Sequence, residues 1–265
     1  MREHRIEEIT MINKMKKHQF LFEELVKRDF KEKYKRTVLG MAWSILSPLL
    51  TLLVMKVVFT QFFGRNTPFY TTYLFSGNLV MAYFKESTRG GMTSLMSNAR
   101  IFTKINLPKY LFIFSRNVSA LVNFLIILVV YFFFCALDGI TFGFHMLSLL
   151  YPIVCLLLFN LGIGMILSAM FVFFRDTTYL YDVFLTLLTY VSAIFYKIDG
   201  YSAAVQRLFL MNPVYCYIKY FRVVVIDGAI PSLAYHLLCA FYALLALGLG
   251  FFIYKKNNHK FLYYV

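Results

Sequence analysis

The sequence has too little charge for an ordinary soluble protein of its length. Only 15% of its 265 residues are charged, whereas soluble domains carry about 25%. The hydrophobic residues make up 60% of the chain, and the mean hydropathy is +0.66. They form continuous runs of the roughly 20 residues that a transmembrane helix needs, not the alternating ten-residue segments of a membrane barrel. We therefore predict an all-α membrane protein with several spans.

Motifs of membrane enzymes and pumps are also absent. There is no G-x-x-x-x-G-K-[ST] loop, which excludes ATP hydrolysis by a P-loop in this chain. There is no H-E-x-x-H helix, and the five histidines are scattered. The apolar runs hold few carboxylates, whereas proton-coupled pumps mark their pathways with intramembrane acids. An internal repeat of the secondary-transporter kind is not evident. We predict no catalytic residue, no metal site and no cofactor in this chain.

The four cysteines form no C-x-x-C pair, and three of them lie in apolar runs. We interpret them as buried small hydrophobic residues, which leaves the redox compartment undetermined. The first 37 residues are charged and lack an apolar core with a cleavage site. No removable signal peptide is expected.

Six spans can be drawn, over residues 38–62, 68–84, 110–137, 146–174, 178–196 and 233–254. Of the 27 Lys and Arg residues, 21 fall on one side of this arrangement, eleven of them in the N-terminal segment. Basic residues accumulate in cytoplasmic loops, so both termini are predicted to be cytoplasmic. The net charge of +14 is then a topology signal with anionic lipid headgroups as its partner, not a nucleic-acid surface.

Residues 10–36 combine an apolar stripe with basic flanks. The stripe contains Met15, Phe22, Val26, Phe30 and Tyr34, widened by Leu21 and Leu25. This pattern is typical of a helix lying in the membrane interface, although a simple anchor would share it. The chain then turns at about 37–40 and enters the first span, where Trp43 is placed at headgroup depth and Pro48 is expected to kink the helix. The predicted segments are an interface helix 1–37, a six-span domain 38–254 and a tail 255–265.

The stretch SNARIFTKINLPKYLF, residues 97–112, carries helix signals of its own. Ser97 or Asn98 can cap this helix, and Pro108 ends it. Two i, i+4 rows follow, one apolar and one basic: Ile101 with Ile105, and Arg100 with Lys104. A short helix between two spans suits a groove on a cytoplasmic partner. An ordinary connecting loop is the alternative.

Four segments resemble permease subunits of ABC transporters that export polysaccharides, such as the O-antigen, capsule and wall teichoic acid exporters. They are RDFKEKYKRTVLGMAWSILSPLL, IFTKINLPKYLF, FFRDTTYL and MNPVYCYIKYFR, in the order of that family and across most of the chain. The resemblance implies a six-helix permease that forms a homodimer. It also implies two separate ATPase subunits, which bind the ATP and Mg.

The resemblance assigns roles to three segments. The N-terminal helix is the interface helix, with Phe22, Val26, Arg28, Asp29, Phe30 and Tyr34. The connector between spans two and three is the helix that couples to the ATPase, with Arg100, Ile101, Lys104, Ile105 and Asn106. The loop before span six holds re-entrant helices on the outer side. The family often has S-P-I-x-Y where this chain has Ser192-Ala193-Ile194-Phe195-Tyr196, so the resemblance does not decide whether span five bends there.

Lys56 is the one charge inside the first predicted span, where a charge costs about 2.5–3.5 kcal/mol at the bilayer centre. It lies toward the outer end of the span, from which a long side chain can snorkel to the surface. Alternatively, it lines the export path and meets an anionic group of the substrate. In that case the path also includes Tyr190, Phe195 and Tyr196.

Two further polar features allow more than one interpretation. Arg175 and Asp176 in the turn between spans four and five are either a solvated cap or a structural element near the ATPase. Residues 197–232 are too polar for two full spans. Re-entrant structure fits them where protein or water satisfies the backbone. Their aromatic side chains either pack and anchor the segment or contact sugar.

The leading functional hypothesis is the transmembrane half of an ATP-driven exporter. The resemblance alone supplies the cargo, a glycan on a polyprenyl-pyrophosphate lipid moved from the inner to the outer leaflet of the bacterial cytoplasmic membrane. A permease for lipids or drugs is a related alternative. A membrane-embedded glycan-modifying enzyme would have to use Asp138, His145, Asp199 and Asp227, which no motif joins. A structural scaffold is the remaining hypothesis.

Overall fold

The computed structural model describes residues 19–31, 35, 37–59, 69–102, 108–258 and 260–264, and every regular element in these residues is helical. Helix α1 covers residues 19–31. Short 3₁₀ turns at Gly40–Ala42 and Phe144–Leu149 lead into α2 and α6. The remaining helices are α2 (Trp43–Phe59), α3 (Tyr70–Ser97), α4 (Ala99–Phe102), α5 (Tyr110–Leu137), α6 (Leu150–Phe173), α7 (Thr177–Val191), α8 (Ala203–Phe209), α9 (Pro213–Val225), α10 (Leu233–Asn257) and α11 (Phe261–Tyr264).

Among the described residues, four helical segments are long and apolar enough to cross a bilayer. They are Gly40–Phe59, Tyr110–Leu137, Phe144–Phe173 and Leu233–Asn257, and they match the first, third, fourth and sixth predicted spans. Helix α3 has 28 residues but carries Lys85, Glu86 and Arg89 in its second half. Helix α7 has only 15 residues, about 22 Å, which is shorter than the roughly 30 Å hydrocarbon core.

Helix α3 extends 13 residues beyond Phe84, where the second span was predicted to end. The predicted connector over 85–109 is therefore helical in its first half. Side-chain hydroxyl groups in this part of α3 hydrogen-bond to the helix's own carbonyls. For example, Thr88 Oγ1 donates to the Phe84 carbonyl at 2.6 Å. Gly91 allows the backbone of α3 to approach Gly164 of α6, and a Cβ at Gly91 would lie 2.9 Å from the Gly164 Cα. Helix packing thus continues where the hydropathy falls.

The core is organised around α6, which packs against α3 on one side and α10 on the other. The crossing of α6 and α10 is close because Gly162 faces Ala246 and Gly250 without intervening side chains. Small residues commonly permit such close approach between membrane helices. All four cysteines are free and buried, as the sequence predicted.

The bundle has two chemically different ends. One apolar cluster joins α1, the end of α3, the start of α5 and the ends of α6 and α10, through Leu25, Leu95, Phe112, Val172 and Tyr254. We call this the basic end, because Lys27, Arg28 and Lys31 of α1 lie there. The opposite end, which we call the far end, contains the start of α3, the end of α7, and α8 and α9.

The segment predicted to be re-entrant forms the two short helices α8 and α9. Asn212 caps α9, with its side-chain oxygen accepting from the amides of Val214 at 3.0 Å and Tyr215 at 3.3 Å, and Pro213 occupies the first turn. Helix α9 reaches the middle of its neighbours. The Phe221 ring lies 6.3 Å from that of Phe124 in the centre of α5.

Candidate functional site

Asp29 holds α1 to the basic end of the bundle. Its side chain is buried, with the residue 3% exposed. The Ser115 hydroxyl donates to Asp29 Oδ2 at 3.0 Å, and Arg116 Nε lies 3.5 Å from the same oxygen. The other oxygen, Oδ1, accepts from Arg28 Nη2 at 2.7 Å. Because a buried carboxylate is costly unless it is paired and hydrogen-bonded, these contacts favour one position of α1.

Arg28 extends this network to the end of α3. Its Nη2 donates to Asn98 Oδ1 at 2.8 Å, and Asn98 Nδ2 donates to the Ser94 carbonyl at 2.8 Å. Helix α1 is therefore hydrogen-bonded to both ends of the connector between α3 and α5. We call this set the α1 latch, and its members are Arg28, Asp29, Asn98, Ser115 and Arg116.

The apolar side of α1 packs on protein. Leu25 is 4% exposed within the apolar cluster of the basic end, and the Phe22 ring stacks on Phe114 at 5.0 Å. Val26 and Phe30 are half-buried. The stripe was predicted to face the membrane. That prediction is wrong for its Leu25 side, because the ends of α3 and α5 offer an apolar surface there.

The predicted ATPase-coupling residues are described only in part. Arg100 is exposed in α4, and Ile101 is half-buried against the apolar cluster of the basic end. Asn98, which with Ser97 was a predicted helix cap, accepts from Arg28 within the α1 latch, and the cap itself stays a prediction. Five other predicted residues lie outside the described residues: Met15 and Tyr34 of the interface helix, and Lys104, Ile105 and Asn106 of the connector.

Replacing Asp29 with Asn is expected to lower the free energy of unfolding by about 1–3 kcal/mol, because hydrogen bonds to a buried charge are lost. The control is Glu24→Gln on the same helix, whose ion pair with Lys27 spans 2.9 Å but is about half exposed on both sides. An exposed pair contributes at most about 1 kcal/mol. Thermal unfolding in detergent, followed by near-UV circular dichroism, measures both. Equal shifts in the two variants would contradict the latch.

Arg222 is the corresponding polar centre at the far end. It is 7% exposed, and its Nη1 donates to the Ala193 carbonyl at 2.8 Å. Its Nη2 donates to the carbonyls of Ile194 at 3.1 Å and Tyr73 at 3.2 Å. The guanidinium also lies 3.4 Å from the centroid of the Tyr73 ring. One side chain of α9 thus joins α3 to the segment that follows α7.

The chain bends sharply after α7, although the proline of the related motif is absent. Helix α7 ends at Val191, and Ala193 has a left-handed φ of 48°, which costs free energy for a residue with a Cβ. Two tyrosines of α3 hold the bend in addition to Arg222. The Tyr70 hydroxyl donates to the Phe195 carbonyl at 2.8 Å, and the Tyr73 hydroxyl donates to the Tyr196 carbonyl at 2.6 Å.

Three of the predicted export-path residues meet at this bend. Tyr190 is 60% exposed, whereas Phe195 is buried, and their rings lie 6.0 Å apart. The Tyr196 hydroxyl donates to the Tyr190 carbonyl at 2.8 Å. The end of α2 reaches the same point, since Phe59 stacks on Phe195 at 4.5 Å. Lys56 is exposed on α2, one turn before Phe59.

Arg175 and Asp176 form the exposed turn between α6 and α7 at the basic end. The Arg175 guanidinium lies 5.6 Å from the centroid of the Phe171 ring. Asp176 precedes α7 without a side-chain capping bond. Both interpretations of this turn, a solvated cap and a structural element near the ATPase, therefore stay predictions.

The four residues required by the enzyme hypothesis are not all brought together. Asp199 and Asp227 line a cleft of about 90 Å³ at the far end, together with Lys197 and Lys219. Burial, with a further contribution from Asp199, raises the pKa of Asp227. Asp138 instead accepts from Thr72 Oγ1 at 2.5 Å, and His145 lies in the 3₁₀ turn before α6. In the part of the chain that the structure describes, no group of three His, Cys, Asp or Glu residues could hold a metal ion.

Sequence reasoning missed the partners on which both ends depend. Arg222 was noted only as the last residue of the segment MNPVYCYIKYFR, and Tyr73 and Ser115 were not singled out. One sequence feature marked Arg222, which stands in the apolar run of PVYCYIKYFRVVV. A charge on the buried side of an amphipathic helix has to be paired or hydrogen-bonded.

Comparison with known proteins relates the chain to one transporter family and to permease proteins of export systems. The family model described as "ABC-2 type transporter" matches residues 21–226. The chain is 26% identical over 232 residues to the O-antigen export system permease protein RfbA of Myxococcus xanthus, covering 84% of this chain and 87% of that protein. Two proteins of the same name from Klebsiella pneumoniae are 25% identical over 249 residues (91% and 95% covered) and 28% identical over 218 residues (80% and 83% covered).

Proposed function

The chain belongs to the ABC-2 type transporter family, and we propose that it is the transmembrane subunit of an ATP-driven exporter of a lipid-linked polysaccharide. The likeness to three O-antigen export permeases, over 80–91% of this chain, carries the proposal. The cargo is a glycan of the O-antigen, capsule or teichoic acid type on a lipid carrier. The exporter moves it across the bacterial cytoplasmic membrane.

The ATPase is a separate subunit that binds ATP and Mg and docks on the basic end, which is the cytoplasmic side. Helix α4 and the residues that follow it form the docking element. The α1 latch supports this role, because Arg28 and Asp29 hydrogen-bond to the residues on either side of the connector. A displacement of the connector by the ATPase would therefore move α1 as well. Both termini lie on this cytoplasmic side.

The export path is formed between two copies of the chain. In the span Gly40–Phe59, which contains α2, only 11% of the most apolar stretch is buried within one chain. The corresponding share is 56% in the span Phe144–Phe173, which contains α6. Leu53, Val54 and Val57 of α2 are exposed, as is Tyr190 on α7. A second copy of the chain covers these exposed faces. Helices α3 and α7 are the second and fifth of the six spans. Lys56 and the aromatic bend after α7 then lie near the outer end of the path.

Helix α9 is re-entrant from the outer side. Its contacts at the middle of α5 and α6, including the Tyr217 ring 5.7 Å from that of Phe159, support insertion to mid-membrane depth. The Tyr217 hydroxyl also donates to the Cys239 carbonyl of α10 at 3.0 Å. Irregular backbone within the membrane requires internal partners, and Arg222 provides them for the bend after α7.

The test is purification of the tagged chain from native membranes in mild detergent, followed by identification of co-purifying proteins. We expect a P-loop ATPase, and we expect Arg100→Glu and Ile105→Arg to lose it while they retain wild-type folding. The control is Lys255→Glu, which changes an exposed residue where α10 reaches the basic end. This variant should retain the ATPase. In parallel, the wild-type gene should restore surface polysaccharide to a deletion strain. Failure of the wild type in both assays would contradict the proposal.

A further inference from the structure

Helices α3 and α7 carry an ion pair on a surface that is otherwise apolar. Arg89 Nε and Nη2 both donate to Oδ1 of Asp182, the first at 3.1 Å, and the two side chains are 53% and 45% exposed. The exposed residues of α7 around Asp182 include Leu180, Val183, Phe184 and Leu187. Neither charged residue belongs to the α1 latch or to the bend after α7, so the function proposed above leaves the ion pair without a role.

The packing of α7 on α3 does not depend on this ion pair. On the buried side of α7, the Tyr181 hydroxyl donates to Thr88 Oγ1 at 2.5 Å, and Leu185 is 2% exposed. An exposed ion pair adds little to the stability of such a contact. The charges of Arg89 and Asp182 are therefore better explained by a ligand than by packing.

Lys85 adds a second cation one turn before Arg89 on α3. Residues four apart lie on the same side of a helix, and Lys85 is half-buried. Within the part of the chain that the structure describes, Lys85 forms no hydrogen bond or ion pair, and the contact with Asp182 uses two of the five N–H donors of Arg89. The neighbouring Glu86 accepts from Asn123 of α5, on another side of α3. We call Lys85, Arg89 and Asp182 the α3–α7 charge cluster.

In the arrangement proposed above, the α3–α7 charge cluster lies near the cytoplasmic edge of the hydrocarbon core. Arg89 precedes the end of α3 at Ser97 by eight residues, or about 12 Å, and Asp182 follows the start of α7 at Thr177 by five residues, or about 8 Å. Charged side chains at membrane depth almost always face the protein interior or a water-filled cavity. The surface that carries the cluster therefore borders the water-filled path between the two copies, not the lipid.

Two cations one turn apart are suited to binding phosphate esters. Arginine binds phosphate bidentately through its planar donors, and lysine contributes a second point charge. A phosphoryl oxygen can replace Asp182 Oδ1 at Arg89, so that the carboxylate pairs with the guanidinium only when no ligand is bound. We infer that Lys85 and Arg89 bind the diphosphate that joins the glycan to its lipid carrier, as the cargo enters the export path. This inference rests on the proposed function.

The test is a competition between lipid probes for the full chain. The purified chain is incubated in mild detergent with equal concentrations of farnesyl diphosphate, farnesol and phosphatidylglycerol, and native mass spectrometry identifies each bound probe by its mass. Farnesol has the same tail without the phosphates, and phosphatidylglycerol represents the anionic headgroups of the bulk membrane. We expect farnesyl diphosphate to bind in preference to both. Titration with farnesyl diphosphate alone then gives its Kd for the wild type and each variant.

Opposite effects at the two partners of the ion pair distinguish a ligand site from a structural contact. Arg89→Gln and Lys85→Gln should each raise the Kd about tenfold or more, because each removes a charge-assisted hydrogen bond to phosphate. Asp182→Asn should lower the Kd about two- to fivefold, since it removes the group that competes for Arg89. Lys255→Gln, which changes an exposed cation at the basic end, should leave the Kd unchanged. The two cation variants are independent, so either one tests the site if the other does not fold.

Three results would overturn the inference: equal binding of farnesyl diphosphate and phosphatidylglycerol, an unchanged Kd in both cation variants, or weaker binding in Asp182→Asn. Surface polysaccharide in a complemented deletion strain separates this failure from that of the proposed function. If the wild type restores surface polysaccharide while the binding test fails, only the diphosphate site is wrong. If the wild type restores none, the proposed function itself is wrong.

Discussion

Replacing Arg222 with Gln is expected to destabilise the protein by about 3 kcal/mol or more and to abolish export. The guanidinium donates to the carbonyls of Ala193, Ile194 and Tyr73. Each buried carbonyl left without a donor costs about 1–3 kcal/mol. The single amide of glutamine cannot donate to all three carbonyls as the planar guanidinium does. The bend after α7 then loses its hydrogen bonds to the middle of α9 and keeps only those from the capping residue Asn212. Thermal unfolding in detergent and surface polysaccharide in a complemented deletion strain measure the two effects.

Two further variants make this test specific. Arg222→Lys keeps the charge but has no planar fork, so its stability should lie between those of the wild type and Arg222→Gln. Arg207→Gln removes an exposed arginine from the neighbouring α8 and should change stability by no more than about 0.5 kcal/mol. If Arg222→Gln behaves like Arg207→Gln, the role assigned to Arg222 is wrong.

Replacing Gly162 with Ala is expected to be the second most damaging change. A Cβ at Gly162 would overlap the backbone of Ala246 and Leu247, so α6 and α10 would have to separate. Overpacking of a close contact typically costs about 1–3 kcal/mol, and here the obstacle is backbone that cannot rotate away. We expect a lower unfolding temperature and reduced export.

Gly248→Ala on α10 is the matched control, because a Cβ there meets no atom within 4 Å. Alanine favours a helix over glycine by about 1 kcal/mol, so this variant should be as stable as the wild type or more so. Gly250→Ala would meet the Gly162 backbone and should resemble Gly162→Ala. The double variant should then be less destabilised than the sum of the two, since both changes disrupt one contact. Additive effects would show that the contact is not shared.

The sequence determined the helical class and four of the spans. These features depend on local stretches of sequence, because about 20 consecutive apolar residues make a span. The prediction that the second span ends at Phe84 was wrong. Helix α3 continues into a more polar stretch, where Gly91 allows it to pack closely against Gly164 of α6. It also missed that the Leu25 side of α1 packs on protein.

Only the tertiary structure decided what holds the two ends together. Arg222 reaches Tyr73 across 149 positions of the chain, and Asp29 reaches Ser115 across 86. No local pattern specifies such partners, because their geometry depends on how four or five helices pack. The bend after α7 is a further example, since Ala193 stands where the related motif often has proline, and hydrogen bonds from α3 and α9 hold the conformation. Hydropathy and charge act over one helix at a time, whereas the pairing of a buried polar group is a property of the whole bundle.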